Sequence, residues 1–204
     1  MTIIDVHTHA YTHKWLEILQ REGGEYGLKL RPDGHNEIFR GDTPVAFPQP
    51  GHFDYELRIK QMDTTGIDVS IVSLTCPNVY WGTEEVSCLA ARESNDNMAE
   101  AQAKYPDRIR WFTSLPWEYP EKAVQELSRT CDAGACGVMV LANVAGRSLN
   151  DPFFAPIWAE RSPRLSAGVR VASRNGTRNS SAHTPSRAAT IGETTIPSCS
   201  TRVA

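Results

Sequence analysis

Hydrophobic positions along the chain alternate between short runs of β-branched residues and longer stretches with helical spacing. Short apolar runs predict strands, and apolar residues that recur every three or four positions predict amphipathic helices. The predicted strands cover residues 2–6, 67–74, 109–114 and 137–142. The predicted helices cover residues 13–22, 54–65, 83–104, 120–132 and 152–160. Residues 23–52, rich in Gly and Pro, are expected to form a long irregular insertion of the kind that carries binding function.

This order of strands and helices predicts an α/β fold in which helices cover a parallel sheet. Four strand–helix units before residue 161 are half of what a (β/α)8 TIM barrel needs, since that fold takes about 250 residues. An open, doubly wound sheet fits the same periodicity. The chemistry at the strand ends therefore has to decide between a partial barrel and an open sheet.

The composition changes abruptly near Arg161. Residues 162–204 contain eight Ser, six Thr and six Arg, but no Lys, no Asp and no aromatic residue. Their formal charge is +5, whereas residues 1–161 carry −8. Without aromatic side chains, such a segment buries too little apolar surface to offset the entropy lost on ordering. The sequence therefore predicts a folded region at residues 1–160 and a disordered Ser/Thr/Arg-rich tail at residues 161–204.

Charge and hydropathy exclude several classes of partner and location. The net charge of −3 gives no electrostatic reason to expect nucleic acid or an anionic membrane as a partner. No apolar run approaches the roughly 18 residues that a membrane span needs. The first residues lack the basic and apolar segments of a signal peptide. Five Cys without the spacing of a disulfide framework then indicate reduced thiols, and we expect a cytoplasmic protein.

The clearest chemistry lies at the end of the first predicted strand, where His7 and His9 flank Thr8. Side chains alternate between the faces of a strand, so the two imidazoles point the same way, about 6.6 Å apart along the chain. Two such imidazoles can hold one divalent cation and leave a position for water or substrate. Asp5 shares this face and is expected to orient a ligand histidine. A surface pair that only ends the strand is the alternative, but barrel active sites lie at this end of a strand, which favours the metal.

Several stretches resemble one known family. Residues 3–9 are similar to the first strand of the amidohydrolase superfamily. Residues 62–68, 106–109, 137–152 and 158–160 resemble its aminocarboxymuconate-semialdehyde decarboxylase-like branch, called amidohydrolase 2. The resemblance covers residues 2–160 only. PHP phosphoesterases and TatD-like nucleases also open with two such histidines, but the former follow them with a Ser-Asp-Gly-like turn and the latter lack the segment at 143–152.

The resemblance implies a distorted (β/α)8 barrel with one divalent metal ion, expected to be zinc. It also implies non-oxidative decarboxylation of a small carboxylated substrate, with hydrolysis by a member of the same superfamily as the alternative. His7 and His9 are the metal ligands of that family which this chain contains. The family takes a further ligand His after strand five, an acid–base His after strand six and an Asp after strand eight. Those strands would follow residue 160, so no catalytic residue is assigned.

We therefore expect this chain to be inactive by itself, as a truncated or frame-shifted part of such a decarboxylase. A non-catalytic half-barrel fragment, stabilised by association such as a homo-oligomer, is the competing hypothesis. His183 is the one histidine after residue 160, and its surroundings have no strand pattern, so it is not expected to be the third ligand. The abrupt change near Arg161 suggests, as a hypothesis, a shift of the reading frame.

Other candidate residues are expected to be ordinary. The resembling decarboxylase binds a substrate carboxylate with an Arg just before the helix that follows the insertion, and residues 48–54 contain no Arg. Arg40 lies further upstream and is a weaker candidate for this role. His52 lies where it can face the mouth of the site, and Cys76, at the end of the second strand, is a weak candidate for lining it.

Overall fold

The computed structural model describes residues 1–32 and 34–160, together with the backbone of residues 170–172, all within one unit, Met1–Arg174. The strands are β1 (Ile4–His9), β2 (Tyr26–Leu30), β3 (Asn36–Arg40), β4 (Thr43–Ala46), β5 (Val69–Ser73), β6 (Ile109–Thr113), β7 (Gly137–Leu141), β8 (Asn143–Val144), β9 (Arg147–Ser148) and β10 (Arg170–Ala172). The helices are α1 (His13–Glu22), α2 (Tyr55–Thr65), α3 (Glu84–Lys104), α4 (Pro120–Asp132) and α5 (Ala155–Ala159), with 3-10 turns at Pro50–His52 and Pro152–Phe154. In these ranges no helix combines the length and hydropathy needed to cross a membrane.

The main sheet decides between the two predicted architectures. Strands β1, β5, β6, β7 and β10 pair in this order, and all pairs are parallel. Each strand therefore lies beside the strand of the next βα unit, and the order never reverses. A doubly wound sheet reverses its strand order at its ligand-binding crevice. The topology is instead that of a partial (β/α)8 barrel, which confirms the predicted fold class.

One face of this sheet packs against helices. Val72 and Trp111 are fully buried there against Met62 of α2 and Met98 of α3. Thr8 of β1 also faces this layer, because its hydroxyl accepts a hydrogen bond from Arg58 of α2. Since side chains alternate along a strand, the neighbours of Thr8 face the opposite side of the sheet.

Local capping residues set the helix ends close to their predicted positions. Thr12, Asp54 and Thr83 precede α1, α2 and α3, and each accepts a hydrogen bond from a backbone N–H of the first turn. The predicted helix at 152–160 instead divides into a 3-10 turn and α5. Pro156 lacks the N–H that would bond to the carbonyl oxygen of Pro152, which explains the division.

The insertion is ordered as a sheet, so the prediction of an irregular segment at 23–52 is wrong. Strands β2, β3 and β4 form an antiparallel sheet. Ile38 of β3 is fully buried, in a cluster that contains Trp15 and Leu19 of α1. Tyr26, Leu28, Val45 and Ala46 also pack against this cluster, so the apolar contacts with α1 stabilise the small sheet.

The predicted tail differs from the structure at three residues. Strand β10 pairs in parallel with β7, with Arg170, Val171 and Ala172 opposite Met139, Val140 and Leu141. The prediction of disorder is wrong at these three residues, since the open edge of β7 offers backbone groups that a short segment can pair with. Residues 161–169 and 173–204, and with them His183, lie outside the described residues. The boundary at residue 161 therefore stays a prediction.

Candidate metal centre

His7 and His9 lie side by side at the carboxyl end of β1. Their ring centroids are 5.0 Å apart and the ring planes are inclined by 73°. His7 is exposed and His9 is half-buried. The two imidazoles come together because residues i and i+2 of a strand share a face. Their location at the carboxyl end of the first barrel strand is the one that sequence reasoning predicted.

The environment of His9 keeps its ring neutral. Nδ1 of His9 lies 3.4 Å from the hydroxyl oxygen of Ser73 on the neighbouring strand β5. Burial, reinforced by the nearby His7, lowers the pKa of His9 from 6.5 to about 4. A neutral imidazole has a free lone pair, which is the form that binds a metal ion.

The spacing of the two rings fits a shared metal ion. A zinc–nitrogen distance of about 2.1 Å places a ring centroid roughly 3.2 Å from the ion. Two rings at a tetrahedral angle then have centroids about 5.2 Å apart. The observed separation of 5.0 Å is close to this value. The separation of the two rings is therefore compatible with two imidazoles that share one ion.

A complete protein ligand set is not assembled among the described residues. No three His, Cys, Asp or Glu side chains come together there in a way that could hold a metal ion. Oδ1 of Asp5 accepts a hydrogen bond from the backbone N–H of His7 at 3.0 Å, and its role in orienting a ligand histidine stays a prediction. Catalytic zinc sites usually take three protein ligands. Among the described residues, no third candidate ligand therefore joins His7 and His9.

His52 lies next to the pair but is not a further ligand. Its carbonyl oxygen accepts a hydrogen bond of 2.9 Å from the backbone N–H of Tyr11, two residues beyond His9. Nδ1 of its ring accepts a hydrogen bond of 3.1 Å from the backbone N–H of Gln49. With Nδ1 acting as acceptor, the ring proton resides on Nε2, and neither nitrogen has a lone pair left for a metal ion.

Arg58 is the residue near the site that sequence reasoning missed. It is only 6% exposed, and its guanidinium donates hydrogen bonds to the hydroxyl of Thr8 and to the carbonyl oxygen of His9. Arg58 therefore holds the end of β1 from the helix layer. Arg58 lies one helical turn before Met62, so the helical spacing in the sequence places both side chains on the same buried face of α2. This spacing is the signal that could have identified Arg58.

The remaining candidates have other partners. Arg40 is exposed and forms an ion pair of 2.9 Å with Glu25 on the insertion. The carbonyl oxygen of Cys76 accepts a hydrogen bond from the hydroxyl of Tyr11 at 3.3 Å, and burial raises the pKa of its thiol. The contact of Cys76 connects the loop after β5 to Tyr11, which follows β1, whereas the ion pair of Arg40 lies within the insertion.

Comparison with known proteins identifies the family. A protein-family model described as amidohydrolase matches residues 4–163. The chain belongs to the amidohydrolase family. This match, together with similarity to two curated decarboxylases, confirms the resemblance to the amidohydrolase 2 branch.

Amidohydrolase-family relatives cover most of this chain, but the chain covers only part of them. The 2-amino-3-carboxymuconate-6-semialdehyde decarboxylase of Dictyostelium discoideum is 28% identical over 181 residues, which are 82% of this chain and 48% of that protein. The gamma-resorcylate decarboxylase of Rhodococcus jostii (strain RHA1) is 37% identical over 116 residues, 52% of this chain and 35% of that protein. The chain thus spans about half the length of the first relative and about a third of the second.

A solved structure of the family extends the comparison to the fold. The 5-carboxyvanillate decarboxylase of Novosphingobium aromaticivorans DSM 12444, crystallised with bound manganese, is similar with a TM-score of 0.62 and 26% identity. The similarity covers 78% of this chain and 47% of that one. Both chains thus share the arrangement of βα units in the part that overlaps.

Proposed function

We propose that this chain is part of a metal-dependent carboxy-lyase that decarboxylates a small carboxylated substrate without an oxidant. The observation that carries the proposal is the pair of imidazoles at the end of β1, spaced as two ligands of one ion. Support comes from the relatives of the amidohydrolase family, which are named as decarboxylases of carboxymuconate and hydroxybenzoate compounds. We therefore take an unsaturated or aromatic carboxylate as the substrate class.

His7 and His9 are the residues that we propose to hold the divalent ion. When bound, the ion supplies a Lewis acid for a substrate oxygen or activates a water molecule. Zinc fits the expected donor set, whereas manganese is the metal of the solved relative. His9 contributes a ring kept neutral by burial, and Arg58 holds the strand end that carries it.

The reaction replaces a carboxylate by hydrogen. The bond between the carboxyl carbon and its neighbour breaks, carbon dioxide leaves, and the electron pair stays on the neighbouring carbon, which takes up a proton. We assign no proton donor among the described residues. Because proton-transfer groups contribute about 10²–10⁴-fold to rates, we propose that the chain by itself has no measurable turnover.

A non-catalytic half-barrel that binds metal weakly is the second candidate. The observation that favours it is the number of ligands, since the described residues bring no third His, Cys, Asp or Glu to His7 and His9. A hydrolase of the same superfamily would use the same pair and differ in substrate. Metal binding, turnover and substrate class therefore have to be measured separately.

The test uses the purified full chain with zinc or manganese. We expect about one ion per chain, bound in a way that His7→Ala abolishes. We also expect no release of carbon dioxide from 2,6-dihydroxybenzoate or from aminocarboxymuconate semialdehyde. A chain that binds no ion would contradict the metal site. Metal-dependent decarboxylation that His7→Ala abolishes would support the reaction class and contradict the proposed inactivity.

A further inference from the structure

His52 is a histidine near the site that the proposed metal pair does not use. His52 ends the 3-10 turn Pro50–His52 and is half-buried. The side chain of His52 accepts a hydrogen bond from the backbone N–H of Gln49. The side chain of Gln49 accepts one in return from the backbone N–H of His52, which completes a capping box. The ring is therefore held in one orientation by its own segment.

The hydrogen bond to His52 fixes which ring nitrogen carries a hydrogen. Nδ1 accepts from the backbone N–H of Gln49, which can only donate. In a neutral imidazole with Nδ1 as acceptor, the hydrogen resides on Nε2. Burial, followed by the positive charge of Arg58, lowers the pKa of His52, so the neutral form is favoured. Nε2 thus presents a hydrogen-bond donor on the side of the ring away from the cap.

His52 lies beside the segment that follows the metal pair. The backbone N–H of Tyr11 donates a hydrogen bond to the carbonyl oxygen of His52, and the rings of Tyr11 and His52 have centroids 5.8 Å apart. The effect of His52 on the pKa of His9 is a second sign of proximity. The chain between β4 and α2 therefore contributes a polar group beside the end of β1.

The two arginines around the pair are already engaged. Arg58 donates to Thr8 and to the backbone of His9, and Arg40 is paired with Glu25. Both terminal nitrogens of Arg58 are therefore used within the protein. Nε2 of His52 adds a neutral donor to these surroundings.

Resting on the proposed function, we propose that His52 determines specificity by donating its Nε2 hydrogen to an acceptor oxygen of the substrate. The substrate class is thereby narrowed to carboxylates that carry an acceptor oxygen, such as a carboxylate, phenolate or ether oxygen, on the side that faces the insertion. A neutral donor orients such an oxygen without compensating its charge. His52 does not itself bind the metal.

Two substitutions separate the donor from the cap. In His52→Asn the amide oxygen takes the place of Nδ1, so it can accept from Gln49, but the donor at the Nε2 position is lost. In His52→Gln the longer side chain places an amide N–H near the Nε2 position. His13→Asn is the matched control, because His13 is exposed on α1 and stacks on Phe53 with a centroid distance of 4.7 Å.

The first measurement does not depend on activity. Two-bond nitrogen–proton spectra of the full chain with labelled histidine report the tautomer of each ring. We expect the Nε2-protonated pattern for the signal that disappears in His52→Asn. A ring protonated on Nδ1 would overturn the proposal. Thermal melting followed by circular dichroism shows whether each variant folds. If His52→Asn does not fold, the signal of His52 in the wild-type spectrum is assigned by its loss in His52→Gln. The tautomer of that signal and the affinity of His52→Gln for the probe then decide.

The second measurement is calorimetric binding of 2,6-dihydroxybenzoate to the manganese-loaded full chain. Loss of one hydrogen bond to a charged ligand weakens binding by about tenfold. We expect Kd to rise by this factor in His52→Asn, and to stay within about threefold of wild type in His52→Gln and His13→Asn. Equal effects of the two His52 substitutions, or none, would overturn the donor role. A wild type that does not bind the probe would overturn it as well, whereas binding without turnover is the result expected of this chain and leaves the donor role standing.

Discussion

The guanidinium of Arg58, on helix α2, donates a hydrogen bond to the backbone carbonyl oxygen of His9, on strand β1. A second hydrogen bond runs to the hydroxyl of Thr8. At the end of a barrel strand, backbone carbonyl groups no longer have a full set of strand partners. Arg58 satisfies this one from the helix layer and so fixes the residue that carries a proposed metal ligand.

Replacing Arg58 tests this relationship. In Arg58→Met the apolar stem is kept, but the carbonyl oxygen of His9 and the hydroxyl of Thr8 lose their donor. Unsatisfied buried groups cost about 1–3 kcal/mol each, so we expect the free energy of unfolding to fall by about 3 kcal/mol. Urea unfolding of the full chain measures this value. Lys60→Ala, at an exposed position of the same helix, should change it by less than about 0.5 kcal/mol. Equal effects of the two substitutions would show that Arg58 does not hold the strand end.

Local patterns predict the helices because their end signals are written in the sequence. Thr12, Asp54 and Thr83 cap helices within one residue of the predicted starts. The order of the βα units predicts the parallel sheet, and the resemblance to the family selects the barrel over the doubly wound sheet. The shared face of His7 and His9 follows from strand periodicity, which a local window of sequence shows.

What the sequence did not predict depends on distant partners. The apolar residues Leu57 and Ile59 of α2 are only partly buried, whereas the charged Arg58 is buried beside Met62 on the same helix. The charge of Arg58 is tolerated there because Thr8 and His9, about 50 positions earlier in the chain, accept its hydrogen bonds. The insertion sheet is likewise held through Ile38 by α1. Neither partner is visible in a local window of sequence.

Asn95 connects three elements at the end of β6. Its Oδ1 accepts from the backbone N–H of Ser114 at 2.9 Å, and its Nδ2 donates to the carbonyl oxygen of Ser114 at 2.9 Å and to Oε1 of Glu126 at 2.8 Å. Asn95 is fully buried, so Asn95→Ala removes the side-chain partner of the Ser114 backbone groups in the interior, while Oε1 of Glu126 keeps its hydrogen bond from Arg129. We expect a loss of about 3 kcal/mol in the free energy of unfolding.

Denaturant unfolding with a matched control checks this expectation. Glu100 lies on the same helix at an exposed position, and Glu100→Ala should cost less than about 0.5 kcal/mol. The slope of the unfolding curve should stay unchanged in both variants, since neither alters the area exposed on unfolding. A loss below about 1 kcal/mol in Asn95→Ala would mean that water replaces the amide at little cost.

Gly66 ends α2 in the left-handed conformation, with φ of 72°. Nothing lies within 4 Å of the position that a Cβ atom would take, so an added methyl group meets conformational strain rather than a clash. We expect Gly66→Ala to lower the free energy of unfolding by about 1 kcal/mol. Gly27 of β2 also has open space but an ordinary φ, so Gly27→Ala should be neutral or stabilise by up to about 1 kcal/mol. The opposite order of the two variants in urea unfolding would contradict this conformation of Gly66.

The metal pair makes the sharpest prediction, because it separates binding from stability. Removing either imidazole from a two-ligand site should weaken zinc or manganese binding by on the order of 100-fold. Loss of a residue that only hydrogen-bonds to a metal ligand already weakens binding by up to about this factor. Equilibrium dialysis of His7→Ala and His9→Ala measures this loss, and His13→Ala, on α1, should bind like wild type. An ion at 100 times its Kd stabilises the folded chain by about 2.7 kcal/mol, so a chelator should lower the stability of wild type and His13→Ala but leave the two site variants unchanged. Wild-type affinity in His9→Ala would show that the ion binds elsewhere, and would remove the basis for the proposed carboxy-lyase site.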